Sequence, residues 1–285
     1  MYSESLSPHE FVEQYWGPVR LFTSDEDHSK YWEQLEQKYG EAFIEEYLDL
    51  VEKNQGQFSD FNDYLALEDF SHKHNVLDTF VPETSFRQKN TLLSIINNLC
   101  DVQGDFTFAE LGSGSSHISI GLALYFDNLK KGYTVDALES AIDATKRHID
   151  QRSKDEKAVL ENKLVPIEGD FTDFGYHTDN PIPEAVDVTY IGFFNCGIHN
   201  VLNTIQVVAR EEGRVIIGAP YIHQEELTYE QHHQDMVSEE IKDGVEWMLS
   251  HIASEAGPMV NFEKVEPIKW TQFFSGALFY GRKNI

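Results

Sequence analysis

The sequence predicts an α/β protein: a mostly parallel sheet with helices on both faces, preceded by a helical region. Three observations carry this. After Cys100, short apolar runs alternate with helical ones: DFTFAEL, SHISIGLALYF, YTVDALE, IDATKRHIDQ, KLVPIE, VDVTYIG, IHNVLNTIQVVA and GRVIIGAP. The strand-like runs are rich in Val and Ile, as strands covered on both faces are. Before Cys100 the apolar residues recur at helical spacing and aromatics crowd together.

The helical region opens at Ser7-Pro8, an N-cap followed by proline at the first helical position. Phe11, Val12, Tyr15 and Trp16 then share one face. Further helices fit about 28–39, about 41–53 and about 58–70. Thr84-Ser85 with Gln88 reads as a capping box opening a helix to about residue 99. The chain thus divides into a helical cap or lid over 1–83 and an α/β core over 84–285. The core carries an acidic helical insert at about 222–256 that holds Trp247 and Met248. Two β-like runs, FEKVEPIKW and FFSGALFYGRK, close the chain at hairpin separation.

Composition excludes several classes. A chain of 285 residues, 41% hydrophobic, can bury one large core or a core with a cap. It has no apolar run long enough to span a membrane. The start, MYSESLSPHEF, lacks the basic and apolar regions of a signal peptide. Two cysteines, Cys100 and Cys196, make no disulfide framework and no zinc spacing, so the expected compartment is the cytoplasm. The formal net charge is -27, with 49 acids against 22 Lys and Arg. Nucleic acid is therefore not an expected partner, because phosphate binding runs on basic neutralisation. The acidity reads as solubility, or as attraction of a cationic substrate or cofactor.

The stretch FAELGSGSS carries the chemistry. A strand ends near Glu110, a loop follows at Gly112-Ser113-Gly114, and a helix opens near Ser115. Glycines let a ligand lie against the main chain, and a helix start offers unpaired N–H groups. YTVDALES then reads as a second strand ending in Glu139, with Ser140 beside it. An acid there can accept both hydroxyls of a ribose. VPIEGDF offers Asp170 for an adenine amino group and Phe171 to pack on its ring.

On these residues the sequence resembles the class I S-adenosylmethionine-dependent methyltransferases. Glu110-Leu-Gly112-Ser-Gly114-Ser-Ser116 is similar to their acid-x-Gly-x-Gly-x-Gly loop, with Ser116 where the third glycine stands. Glu139 matches their ribose-binding acid, and Gly169-Asp170-Phe171 their adenine-contacting segment. The resemblance covers about residues 84–285. It implies a Rossmann-like, seven-stranded sheet whose last strand is antiparallel, and S-adenosylmethionine as the cofactor. It implies cofactor contacts at Glu110, Gly112, Ser113, Gly114, Glu139, Ser140, Asp170, Phe171 and Phe193. The rival nicotinamide-dependent oxidoreductase needs a small residue where this loop has His117. A scaffold that keeps the fold and binds S-adenosylmethionine without transfer is the other alternative.

Methyl transfer needs alignment, exclusion of water and sometimes a proton acceptor. The segment after the fourth strand, GFFNCGIH, faces the ligand end of such a sheet. His199 is the candidate proton acceptor, and the same position suits a surface histidine at a helix start. Asn195 is the candidate for orienting an acceptor. Tyr15, Trp16, Phe194 and Tyr221 are the candidate acceptor contacts, and core packing is the other reading of these aromatics. The expected acceptor is a small molecule or peptide methylated at oxygen or nitrogen, as in natural-product metabolism. No metal is expected: neighbouring His232 and His233 diverge on a helix and grip one ion poorly.

Overall fold

A computed structural model describes residues 6–19, 24–55, 61–75, 82–174, 181–192, 198–222, 259–268 and 274–284. For 25, 28, 54–55, 61–64, 82–84, 198–199, 219–222, 267 and 274–275 the description is of backbone alone.

Helix α1 (Pro8–Trp16) forms where the sequence places it. Ser7 Oγ accepts the Glu10 N–H, while the Glu10 carboxylate accepts the Ser7 N–H at 2.9 Å. This capping box satisfies donors that a helix start leaves bare. Helices α2 (Asp25–Tyr39), α3 (Glu41–Gln55) and α4 (Phe61–His74) follow, α2 stopping at Gly40 with φ of 92°. Helix α5 spans Pro82–Leu99. The capping box expected at Thr84 therefore lies inside α5, because a proline with its φ preset for the first turn already starts the helix.

Beyond residue 100 the alternation is continuous: β1 (Phe106–Leu111), α6 (His117–Tyr125), β2 (Leu129–Asp136), α7 (Glu139–Asp150), α8 (Lys154–Lys163) and β3 (Leu164–Glu168). A short 3-10 turn at Phe171–Asp173 leads on to β4 (Val186–Ile191), α9 (Ile198–Val208), β5 (Ala209–Ile222), β6 (Val260–Ile268) and β7 (Phe274–Lys283). Helix α8 is an addition to the sequence reading. Its own capping box, Ser153 with Glu156, separates it from α7. The insert expected at about 222–256 falls almost wholly outside the described residues.

The seven strands form one sheet in the order β3-β2-β1-β4-β5-β7-β6. Neighbours from β3 to β5 are parallel, and β7 runs antiparallel to both β5 and β6. This is the Rossmann-like α/β class with a reversed last strand. From β1 the chain winds outward through β2 and β3, then returns to lay β4 on the other side of β1. The order reverses between β1 and β4, and ligands bind such sheets at the carboxyl ends of the strands flanking that switch.

Strand alternation sorts side chains to two cores. Phe106 and Phe108 join the face covered by α1, α5 and α6, with Leu92, Ile96, Ile120 and Tyr190. Ala109 and Leu111 join the opposite face, with Val135, Ile191 and Val201 of α9. Phe11 and Val12 of α1 are nearly fully buried in the first of these cores, so α1 is built into the α/β body. Leu35, Ile44, Tyr47 and Phe70 of α2–α4 make a separate, smaller cluster. Among the described residues no helix is long and apolar enough to cross a membrane.

Candidate functional site

The loop after β1 is held by the backbone. The N–H groups of Gly112 and Ser113 both donate to the Val135 carbonyl on β2, each at 2.9 Å. Gly112 (φ 71°) and Gly114 (φ 51°) lie in the left-handed region, which suits glycine. Ser116, φ 59°, takes the same conformation as the cap of α6. Its hydroxyl meets Thr145 Oγ1 at 2.8 Å, which offsets the strain of a side chain there. A Cβ at Gly112 would stand 3.4 Å from the Phe171 ring, and one at Gly114 would stand 3.2 Å from His72 Cε1. Ser113 is buried, and its hydroxyl has no hydrogen-bond partner among the described residues. A buried polar group left so is a candidate ligand contact.

The structure gives Glu110 an anchoring role that the sequence reading did not assign. Strand alternation places it on the Phe106–Phe108 face, under α6, and it is 4% exposed. Its Oε2 accepts the Ser119 N–H at 3.0 Å and the Ser119 hydroxyl at 2.5 Å. Glu110 therefore anchors the first turn of α6. Burial pushes its carboxyl up to about 8, against the lowering pull of the Ser119 bonds and with a further push from Asp136.

The acid at the tip of the second strand is corrected. Strand β2 ends at Asp136, and Glu139 is exposed in the first turn of α7. The strand leaves the sheet here because Asp136 turns the chain: Oδ1 accepts the Leu138 N–H at 3.0 Å. Oδ2 accepts the Gly114 N–H at 2.8 Å, tying strand to loop. Asp136 thus stands where the sequence reading put Glu139. Ser140 is buried against α4, where burial would raise Asp69 but its pairing with Lys73 holds it low.

Asp170 follows β3 as expected and caps the 3-10 turn, Oδ1 accepting the Thr172 N–H at 2.9 Å. Phe171 is mostly a core residue, with its ring against Gly112 and its carbonyl taking the Thr204 hydroxyl at 2.7 Å. A ring so enclosed supports the loop instead of offering an open stacking face. Phe193, Phe194 and Asn195 lie outside the described residues. His199 is the second residue of α9, which opens after β4 beside the switch point, and Tyr221 sits near the end of β5 opposite Ser275.

Tyr15 and Trp16 come to the loop from the other side. The Tyr15 hydroxyl donates to the His117 carbonyl at 3.0 Å, and the Trp16 ring lies 5.1 Å from that of His117. His117 stacks on His148 at 4.5 Å. His148 Nδ1 lies 3.3 Å from the Ser115 carbonyl and Nε2 lies 3.3 Å from Asn75 Oδ1. A cleft of about 430 Å³ opens among these side chains, Ser85, Gln151 and Arg152.

Helix α4 supplies residues that the sequence reading did not single out. His72, buried, packs on Gly114, and its carbonyl accepts from Arg147 Nη2 at 2.7 Å. Glu68, one turn earlier, approaches His72 Nε2 at 3.6 Å. Burial lifts its carboxyl to about 7, Asp136 adds to the push, and Arg87 opposes it. The Glu-x-x-x-His spacing is the only local signal, and it is common on helices. Asp136 and Glu68 bring two carboxyl groups to the edge of the loop, while Glu110 is held neutral under α6. Among the described residues no cluster of side chains has the make-up of a metal site.

No protein-family model matches the sequence. No curated protein matches it either. Among solved structures the chain is similar to a SAM dependent methyltransferase from Aquifex aeolicus, at 14% identity over 66% of this chain and 88% of that one, TM-score 0.43. It is similar also to a geranyl diphosphate methyltransferase bound to GPP and sinefungin, at 10% identity over 72% of this chain and 81% of the other, TM-score 0.48. A third is the precorrin-6y C5,15-methyltransferase from Geobacter metallireducens, at 14% identity over 68% and 87%, TM-score 0.41.

Proposed function

We propose that this protein transfers a methyl group from S-adenosylmethionine to the oxygen or nitrogen of a small molecule or peptide. One observation carries the reading. A bare-backbone loop, Gly112-Ser113-Gly114, stands at the switch point of a Rossmann-like sheet, with the Asp136 carboxylate on the Gly114 N–H. The cofactor fits what is there. Two glycines with positive φ leave space that side chains would fill, and the buried Ser113 hydroxyl lacks a partner among the described residues. Asp136 is the acceptor at the ribose position and Asp170 the acceptor beyond β3.

When bound, S-adenosylmethionine supplies an already activated methyl group. The protein's own part is to hold, orient and keep water out. Helix α4 closes on Gly114 through His72. Helix α9 begins at the crevice with His199, the proton acceptor in this proposal for an acceptor that must lose a proton. Nucleic acid is not the acceptor in this reading, given the net charge of -27.

Calorimetric titration with S-adenosylmethionine and S-adenosylhomocysteine tests the proposal. Both bind the wild type, and Gly114→Arg binds neither, because the new side chain collides with His72 in a left-handed backbone. A wild type that binds neither compound overturns the reading.

A further inference from the structure

The cleft beside the loop differs in charge from the rest of the chain. Acids outnumber Lys and Arg 49 to 22, yet among the described residues neither Asp nor Glu lines this cleft. Its charged residue is Arg152, joined by the stacked His117 and His148. Several other basic side chains are matched with carboxylates, such as Lys89 with Glu13, Lys157 with Asp150, Arg214 with Asp101 and Arg282 with Glu263, and Arg147, Lys131, Lys163 and Lys283 meet backbone carbonyls. Arg152 makes no ion pair among the described residues. Its guanidinium lies over the Tyr15 ring, 4.5 Å from the centroid, which keeps its planar edge positioned. Trp16 and Ser85 also line the cleft. The walls are flat rings, Tyr15, Trp16 and the two histidines. Clefts of 300–1,000 Å³ hold small molecules, and this one, about 430 Å³, matches one fused ring system with a substituent.

Flat ring walls with a guanidinium that has no carboxylate partner among the described residues select a flat ligand bearing an anion, because an arginine fork pairs with two carboxylate oxygens at once. We propose that this cleft binds a planar aromatic carboxylate, with the carboxylate on Arg152 and the ring against Trp16 and the His117–His148 stack. Calling this occupant the methyl acceptor rests on the methyltransferase reading; the binding itself does not.

Equilibrium titration of the full chain with 1-naphthoate, and with 1-naphthamide as its neutral counterpart, is the test. Naphthoate binds, and naphthamide binds at least about tenfold more weakly, as expected when one charged hydrogen-bonded pair is lost. Arg152→Gln brings naphthoate down to the naphthamide level, and Arg152→Lys recovers part of the difference. Equal affinity for the two probes, an unchanged naphthoate affinity in Arg152→Gln, or no naphthoate binding at millimolar concentration overturns the proposal. S-adenosylhomocysteine titrated on the same samples separates the two readings. A wild type that binds it but not naphthoate loses only the cleft. A wild type that binds naphthoate but not S-adenosylhomocysteine keeps the cleft and loses methyl transfer.

Discussion

Glu110 shows how a residue's neighbours set its chemistry. Buried and hydrogen-bonded to Ser119, its carboxyl is held neutral up to about pH 8, from an ordinary value of 4.5. A raised folded-state pKa contributes stability that is full below the unfolded value and is lost as pH rises through the folded one. Glu68, raised to about 7, acts in the same direction. The melting temperature should therefore fall between pH 5 and pH 9, by about 5 °C or more. Glu110→Gln keeps an uncharged acceptor for Ser119 and should remove more than half of that fall. A variant whose midpoint drops as far as the wild type's would show that Glu110 is not the group responsible.

Asp136 and Glu139 are three residues apart, and the fold gives them different surroundings. Asp136 ends β2 and holds the Gly114 N–H, while Glu139 faces solvent. Asp136→Asn should weaken S-adenosylhomocysteine binding by about 1–3 kcal/mol, the scale of a charged hydrogen-bond acceptor lost. Glu139→Gln should change it by less than about 0.5 kcal/mol, as for a surface substitution. Calorimetry on the two variants decides between them, and the reverse order would restore Glu139 as the ribose contact.

At the scale of elements, helix α6 is buried on every side from Ile118 to Tyr125 and is crossed closely by α5. Gly121 makes that approach possible: a Cβ there would stand 2.5 Å from Leu92 Cδ2, and Leu92 has no exposed surface. Gly121→Ala should cost about 1–3 kcal/mol in denaturant unfolding, despite alanine's better helix propensity. A stabilised variant would show that α5 can shift. Since α6 begins at the loop, any such shift reaches Ser116 and Gly114 as well.

Some elements were easier to read than others for the same local reasons. Ser7-Pro8 announces α1 because capping and a preset φ act within one turn. The second box, Ser153 to Glu156, is equally local and marks a helix that the alternation of apolar runs passes over. The Thr84–Gln88 pattern matches the same template, but Pro82 starts the helix before it. A pattern at a helix start has force only where the chain is not already helical.

On the scale of the whole molecule, the described helices before residue 100 belong to two packing units. Phe11 and Val12 are buried with Ile96 and Tyr125 in the core of the sheet, while Ile44 and Phe70 pack within α2–α4. Phe11→Ala should cost about 3–5 kcal/mol of global stability, as a large cavity in the main core does. Ile44→Ala, in the smaller cluster, should raise hydrogen exchange in α2–α4 far more than in β1 or β4. Equal acceleration throughout would mean that the two clusters unfold together.

The alternation of apolar runs was sufficient for an α/β sheet and for the glycine loop after β1, since both depend on periodicity and turn chemistry within a few residues. Strand alternation also sends Glu110 away from that loop, a consequence hidden until β1's two faces are known to be covered by different helices. The place of Asp136 depends on where β2 leaves the sheet, which its pairing with β1 and β3 settles. His72 and Glu68 reach the loop from about forty residues upstream, and Tyr15 and Arg152 meet across a still longer stretch of chain. Periodicity carries no information about such meetings. They follow from how helices pack over the sheet, and that packing sets Asp136 at the glycine loop and the Arg152 cleft beside it.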